Sequence, residues 1–224
     1  MKLKNVFSDL LGNIGQLVVV SILWAFCCFP IFTIGASSTA LYYSVVKVIR
    51  RGRSNTIEAF FQAFKENFWQ ATNWNLILLG YYGAVSMLLV LRYRAAGGFV
   101  LDSAMGGIIV LALLAAWLIP FVYPVISRFF YKGTALLRFV LYIAIRYFWV
   151  TLICLALLAG AFFLCVYNSA LLMFVPGLYI LIQSCFLEPV FKSMSQKDDS
   201  DNYDEWYDEE PDLLENLIIK KPKQ

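Results

Sequence analysis

The feature that most constrains this chain is a series of five apolar stretches, each about 20 residues long and parted by more polar segments of unequal length. They run over about 14–34, 74–91, 104–126, 147–166 and 170–190. A helix needs about 20 mostly apolar residues to cross ~30 Å of hydrocarbon, where its backbone groups find no water to bond. No alternating ten-residue pattern suggests a membrane barrel, so the stretches read as helices. Only Asn168 and Ser169 part the last two, which predicts a tight helical hairpin. Composition agrees: the chain is 61% hydrophobic and 15% charged, against about 45–50% and 25% in soluble domains. The expected fold is all-α, a polytopic helical membrane protein with about five transmembrane helices and additional cytoplasmic amphipathic helices at the interface.

The net charge of +3 is an average of opposites. Residues 1–195 carry 14 Lys and Arg against five acids (+9), whereas residues 196–224 carry four lysines against ten acids (−6). The body therefore reads as a transmembrane domain over 1–195, and 196–224 as an acidic, disordered tail. Eleven basic residues, Lys47 to Lys65, Arg128 to Arg146, Lys192 and Lys197, fall on one side of the predicted spans. Lys2, Lys4, Arg92 and Arg94 fall on the other. The positive-inside rule puts the long connections and the C-terminus in the cytoplasm of a multi-pass protein of the cell membrane. A first stretch bent into a hairpin at Pro30 would bring the N-terminus inside as well. Cleavage of the first stretch as a signal peptide is disfavoured by its late, long apolar core.

Both cytoplasmic connections carry helical patterns. Ile57, Phe60, Phe61, Phe64 and Phe68 recur at helical spacing, with Glu58, Gln62, Lys65 and Glu66 on the other face. Asn55 and Glu58 stand at the spacing of a capping box. With Trp69 near its end, this helix is expected in the headgroup plane. Leu136, Leu137, Val140 and Leu141 repeat the idea after a turn at Lys132-Gly133-Thr134. Phe68-Trp69, Leu78 and Gly80 recur 80 residues later as Phe148-Trp149, Leu158 and Gly160, the trace of an internal repeat of helix plus span.

Pro30 removes a backbone donor and must bend or end the first helix. Gly35 and Ser37 or Ser38 suit a new helix reaching towards Arg50, too short to span, at the interface or re-entrant. Such a break either builds a substrate site at membrane depth or merely turns the chain onto the cytoplasmic face. Trp24, Pro30-x-x-Thr33-x-Gly35-x4-Ala40-x-Tyr42, Lys47 and the run Phe60-Phe61-x2-Phe64-Lys65-x-Asn67-Phe68 together resemble the YesL family, a bacterial membrane-protein family of unknown function. The likeness is strongest over residues 1–80, weaker to about Lys192, and leaves out the tail. It implies a multi-span protein of the bacterial cell membrane, encoded near carbohydrate ABC-transport genes and so connected with sugar uptake. An ABC transporter or another membrane protein is the implied partner, and the family supplies no active site to carry over.

Candidate chemistry is sparse. With no histidine there is no catalytic triad. No G-x4-G-K-[ST] loop occurs, and the five cysteines, Cys27, Cys28, Cys154, Cys165 and Cys185, sit in apolar stretches without a C-x-x-C pair. No catalytic residue, metal ligand or cofactor is expected. Glu188 is the sole acid in the predicted spans: a candidate intramembrane charge paired with Arg128 or Arg146, or a solvated residue at the interface. Gly80-x3-Ala84 and Ala156-x3-Gly160 suit close helix packing, within the bundle or in a homo-oligomer. In the tail, Tyr203, Trp206 and Tyr207 precede a stripe of Leu213, Leu214, Leu217 and Ile218, fit to dock on a partner or on the basic connections, or else only to solubilise. The lipid bilayer is the expected partner throughout and nucleic acid is not one. The reading is a non-enzymatic accessory or scaffold protein, with a small transporter or channel using Pro30 and Glu188 as the alternative.

Overall fold

The computed structural model describes residues 2–49, 55–95, 98, 102–129, 131 and 133–195, with side chains from Ile14 onward apart from Val48, Ile49 and Ser195. The acidic tail, Arg50, Arg51, Arg53 and Lys132 lie outside the described residues, as do the expectations placed on them.

Every regular element among the described residues is helical. The chain begins as α1, Lys2–Cys27. Pro30, extended at φ −77° and ψ 119°, breaks it, and a 3-10 turn over Ile31–Thr33 leads into α2, Ile34–Tyr43. The first apolar stretch is therefore not one helix over 14–34: it stops at Cys27 because proline cannot donate and pushes the preceding residue out of the helical region. The helix α2 continues as six residues of π-helix, Ser44–Ile49, a rare element.

The next helix, α3, runs unbroken over Thr56–Ala95, 40 residues, or about 60 Å. The aromatic segment from Ile57 to Phe68 and the second apolar stretch are one helix, not an in-plane helix joined to a span. No proline or glycine stands between Phe68 and Trp74 to part them. The third stretch is divided into α4, Ser103–Ala116, and α5, Ile119–Arg128, by a turn at Trp117-Leu118 that Pro120 enforces. Helix α6, Thr134–Arg146, follows the expected turn, where Gly133 adopts φ +56°, a conformation that favours glycine. The fourth stretch is α7, Phe148–Tyr167. It is joined to α8, Val175–Ser195, by a 3-10 turn over Ser169–Met173 rather than by two residues, with the Asn168 side chain accepting from the Ala170 N–H.

Helix α2, expected at the interface or re-entrant, lies inside the bundle. Ala36, Ala40, Tyr42 and Val45 are fully buried, and α2 with its π extension packs among α1, α3, α5 and α8. Around it lies the main core, with Phe60, Phe121, Val125, Leu187 and Phe191. By contrast α4, α7 and the distal part of α3 turn Ile77, Leu88, Leu113, Phe162 and Phe163 outward. Of the most apolar stretches of α3 and α7, only 11% is buried. Outward apolar faces of this extent need lipid or protein to cover them.

Three helical segments among the described residues, α3, α4 with α5 taken together over Ser103–Arg128, and α7, are long and apolar enough to cross a membrane. The apolar part of α1, Ile14–Cys27, is shorter, and α8 is not among the three. Membrane-protein character stands on these three helices.

Candidate functional site

The polar chemistry of the core gathers at the two ends of α2. At its start, Thr33 Oγ1 lies 2.5 Å from the Cys27 carbonyl and 2.6 Å from that of Pro30, so its hydroxyl serves acceptors left open where α1 stops. Asn75 of α3 donates from Nδ2 to the carbonyls of Ile31 (2.9 Å) and Phe32 (3.3 Å), and its Oδ1 accepts from the Tyr123 hydroxyl of α5 (3.0 Å). One amide thus satisfies the irregular backbone of the elbow, which a low-dielectric surrounding would otherwise penalise.

Gly35 makes this approach possible. A Cβ there would stand 2.5 Å from the Ala71 carbonyl oxygen and 2.9 Å from Asn75 Cβ. Trp24 Nε1 donates to Ser38 Oγ (3.2 Å), tying α1 to α2.

At the other end, Tyr42 is fully buried and its hydroxyl donates to Glu188 Oε1 of α8 at 3.0 Å. The same oxygen lies 2.5 Å from Arg128 Nη1 at the end of α5. Glu188 is 8% exposed and the Arg128 side chain has no exposure at all, so this ion pair is largely shielded by protein. The guanidinium carbon sits 5.5 Å from the Phe191 ring centre, a cation–π contact. Glu188 is therefore not a solvated interfacial residue, and of its two candidate partners the structure selects Arg128. Arg146 is exposed and lies against the Tyr147 ring instead.

Chemically the cluster is a neutralised charge. One carboxylate oxygen holds two donors from two helices, a device that fixes α2, α5 and α8 in one register.

The five residues of the elbow pattern take distinct places. Pro30 breaks α1, Thr33 caps it, Gly35 admits α3, Ala40 fills the core and Tyr42 reaches Glu188. In the aromatic segment Phe60 is buried, with Phe64 and Phe68 half-buried along the same face; the Phe60 and Phe64 rings stack, and the Phe68 ring is tilted against Phe64. Phe61 and Lys65 point outward, as does Trp69. Lys47 reaches back one turn to the Tyr43 hydroxyl at 2.7 Å.

Gly80, Ala84, Ala156 and Gly160 all face outward, and nothing among the described residues packs against the two glycines. A second tight approach, besides that at Gly35, is made at Gly177, whose N–H donates to Ser21 Oγ (2.9 Å), joining α1 to α8. All five cysteines are free thiols.

Asn75, Tyr123, Ser21 and Gln183 escaped the reading of the sequence. Each is an uncharged polar residue in an apolar stretch, and an inventory of such residues is the signal that would have found them. Gln183 Nε2 donates to the Pro120 carbonyl at 2.7 Å. That carbonyl has lost its helical partner, because the residue four positions on is Pro124.

No curated protein and no solved structure matches the chain. Residues 17–90, from within α1 through the elbow and α2 to near the end of α3, match the family described as "Protein of unknown function, DUF624".

Proposed function

We propose that this chain is a non-catalytic accessory or scaffold protein of the bacterial cell membrane, connected with carbohydrate uptake or utilisation. The single observation that carries the scaffold reading is the fastening of α2 at both ends, by Asn75 and Tyr123 at the elbow and by Glu188 and Arg128 beyond Tyr42. A carboxylate held by two donors is suited to holding helices in place rather than to passing protons. What remains for function is the outside, where Phe61, Lys65, Trp69 and Arg138 are exposed. The family match over 17–90 is compatible with the YesL resemblance, and the link to sugar uptake rests on that resemblance.

In this reading α1 and α8 join the three long apolar helices as membrane-embedded elements, giving about five crossings. The basic connections and C-terminus face the cytoplasm under the positive-inside rule. A neighbouring membrane protein, such as a carbohydrate ABC transporter, and a second copy of the chain are the candidate partners. No cofactor takes part.

The second reading, a small transporter, draws on the same buried charges, since ionisable groups among apolar helices mark ion pathways by default. Reconstitution separates the two. Liposomes containing the chain alone should take up no labelled monosaccharide or oligosaccharide, while deletion of the gene should slow uptake by intact cells. Uptake by the chain alone that Glu188→Gln or Pro30→Ala abolishes, in folded protein, would replace the scaffold with the transporter.

A further inference from the structure

Helix α6 turns two unlike faces to its surroundings. Leu136, Val140, Ile143 and Ala144 are buried in the core. On the opposite arc Arg138, Leu141, Tyr142, Ile145 and Arg146 are all exposed, and Trp149 stands exposed just beyond, in the first turn of α7. A helix facing water carries polar residues on such an arc, whereas here Ile145 is 72% and Trp149 76% exposed.

The chain itself sets the depth of this face. Only Tyr147, at φ −112° and ψ 51°, parts α6 from α7. Thr151 Oγ1 of α7 donates to the Ala144 carbonyl of α6 at 3.1 Å, tying the two helices across the bend. Helix α7 is one of the three segments fit to cross a membrane, so its first turn, and the end of α6 with it, stands at the bilayer surface. The charge there is of one sign. Helix α6 contains no Asp or Glu, and among the described residues neither of its arginines is ion-paired, since Glu188 is held by Arg128 and Asp102 by Arg92. The Tyr147 and Ser193 hydroxyl oxygens lie 3.0 Å apart, which brings the last turn of α8, with its exposed Lys192, to the same junction.

We infer that the outward face of α6 is a docking surface for anionic phospholipid, with Arg138 and Arg146 on headgroup phosphates and Leu141, Tyr142 and Ile145 among the upper acyl segments. Basic side chains beside an aromatic and apolar face suit the headgroup layer. A guanidinium presents a fork of donors that matches the oxygens of a phosphodiester. In a headgroup without a cation of its own that phosphate keeps its net charge, which draws basic residues to the surface. A zwitterionic headgroup supplies its own ammonium and offers less. A protein docking here would have to displace lipid from a helix held at the bilayer surface. The inference rests on the membrane character of α7 and not on the scaffold role.

The test uses the full chain in phosphatidylcholine liposomes doped with a photoactivatable phosphatidylglycerol or, in parallel, with the matching photoactivatable phosphatidylcholine. Peptides from residues 134–149 should be labelled more heavily by the first probe than by the second. Unlabelled phosphatidylglycerol should suppress that excess, added phosphatidylcholine should not, and rising salt should erode it. Arg138→Gln and Arg146→Gln should each lower the preference about fivefold, the worth of one basic residue at an anionic surface. Arg138→Lys should restore most of it, and Arg94→Gln, at an exposed position on the far end of α3, should leave it unchanged. Equal labelling of 134–149 by the two probes would overturn the inference, as would an excess spread evenly over every basic end of the chain. So would an undiminished preference in the folded Arg138→Gln, Arg146→Gln double variant. Labelling of 134–149 by neither probe would mean that protein, a second copy or another chain, covers the face, and would overturn it too. The comparison of probes on the unaltered chain decides the matter even where a variant does not fold.

Discussion

Glu188 has the most to lose from a change of a single atom. Its Oε1 receives both the Tyr42 hydroxyl and Arg128 Nη1, so Glu188→Gln keeps the shape and leaves a buried guanidinium without its counter-charge. Removing one member of a buried ion pair costs about 3–5 kcal/mol, whereas replacing both by apolar residues of similar volume is close to neutral. Thermal unfolding in nanodiscs should therefore show a large loss for Glu188→Gln and near-complete recovery in the Arg128→Met, Glu188→Met double variant. Equal losses in the single and double variants would mean that the pair does not act as a unit. At this scale the sequence was partly legible. A lone acid beside a proline in an apolar stretch stands out, and Arg128 was one of two candidate partners. Tyr42 as the second donor was not visible, because a tyrosine in an apolar pattern looks the same whether its hydroxyl reaches lipid, water or a carboxylate. Gly35 was legible as a glycine that mattered, though the reason, the Ala71 carbonyl pressed against it, belongs to a helix 36 residues away.

Among the elements, breaks were easier to read than continuity. Pro30 announced the end of α1, and Gly133 the turn before α6. The aromatic segment and the second apolar stretch were read as two helices because their faces differ in polarity, yet nothing in the chain between them interrupts the hydrogen-bond ladder of α3. Spin labels at the exposed positions Ile57 and Leu91, in a background lacking the five cysteines, should stand about 50 Å apart along a continuous helix. A perpendicular in-plane arm would bring them to about 37 Å.

The opposite end of α3 makes a different prediction. Arg92 pairs with Asp102, which also accepts from the Met105 N–H at the start of α4. The guanidinium first, and then that N–H, hold the Asp102 carboxyl below its ordinary value of 3.8. The folded state therefore binds fewer protons than the unfolded one in this range. The stabilisation is complete well above pH 3.8 and is lost as pH falls through the lowered value. Asp102→Asn preserves a capping side chain, so its deficit in thermal midpoint should be constant near neutrality and close under acid. A deficit independent of pH would mean that the charge of Asp102, and so its pair with Arg92, is not its source.

For the whole molecule, composition identified the environment but not the arrangement. Apolar stretches of similar length look alike in sequence, whether their faces meet lipid, as the outward surfaces of α4 and α7 suit, or meet protein, as in α2. Hydropathy measures how apolar a segment is and carries no record of which neighbours cover it. The short helix after Pro30, expected at the interface or re-entrant, stands at the centre, enclosed by α1, α3, α5 and α8. The uncharged polar residues are what mark that centre: Ser21, Asn75, Tyr123 and Gln183 each bond across helices. The centre of the bundle is α2, fastened at both ends. Hydrogen exchange of the chain in nanodiscs tests this most directly. Amides from Ala36 to Val46 should be among the slowest to exchange, and Glu188→Gln should speed them while leaving α7 unchanged. Exchange of that segment as fast as the ends of α4 and α6, or the same rate with and without Glu188, would contradict it.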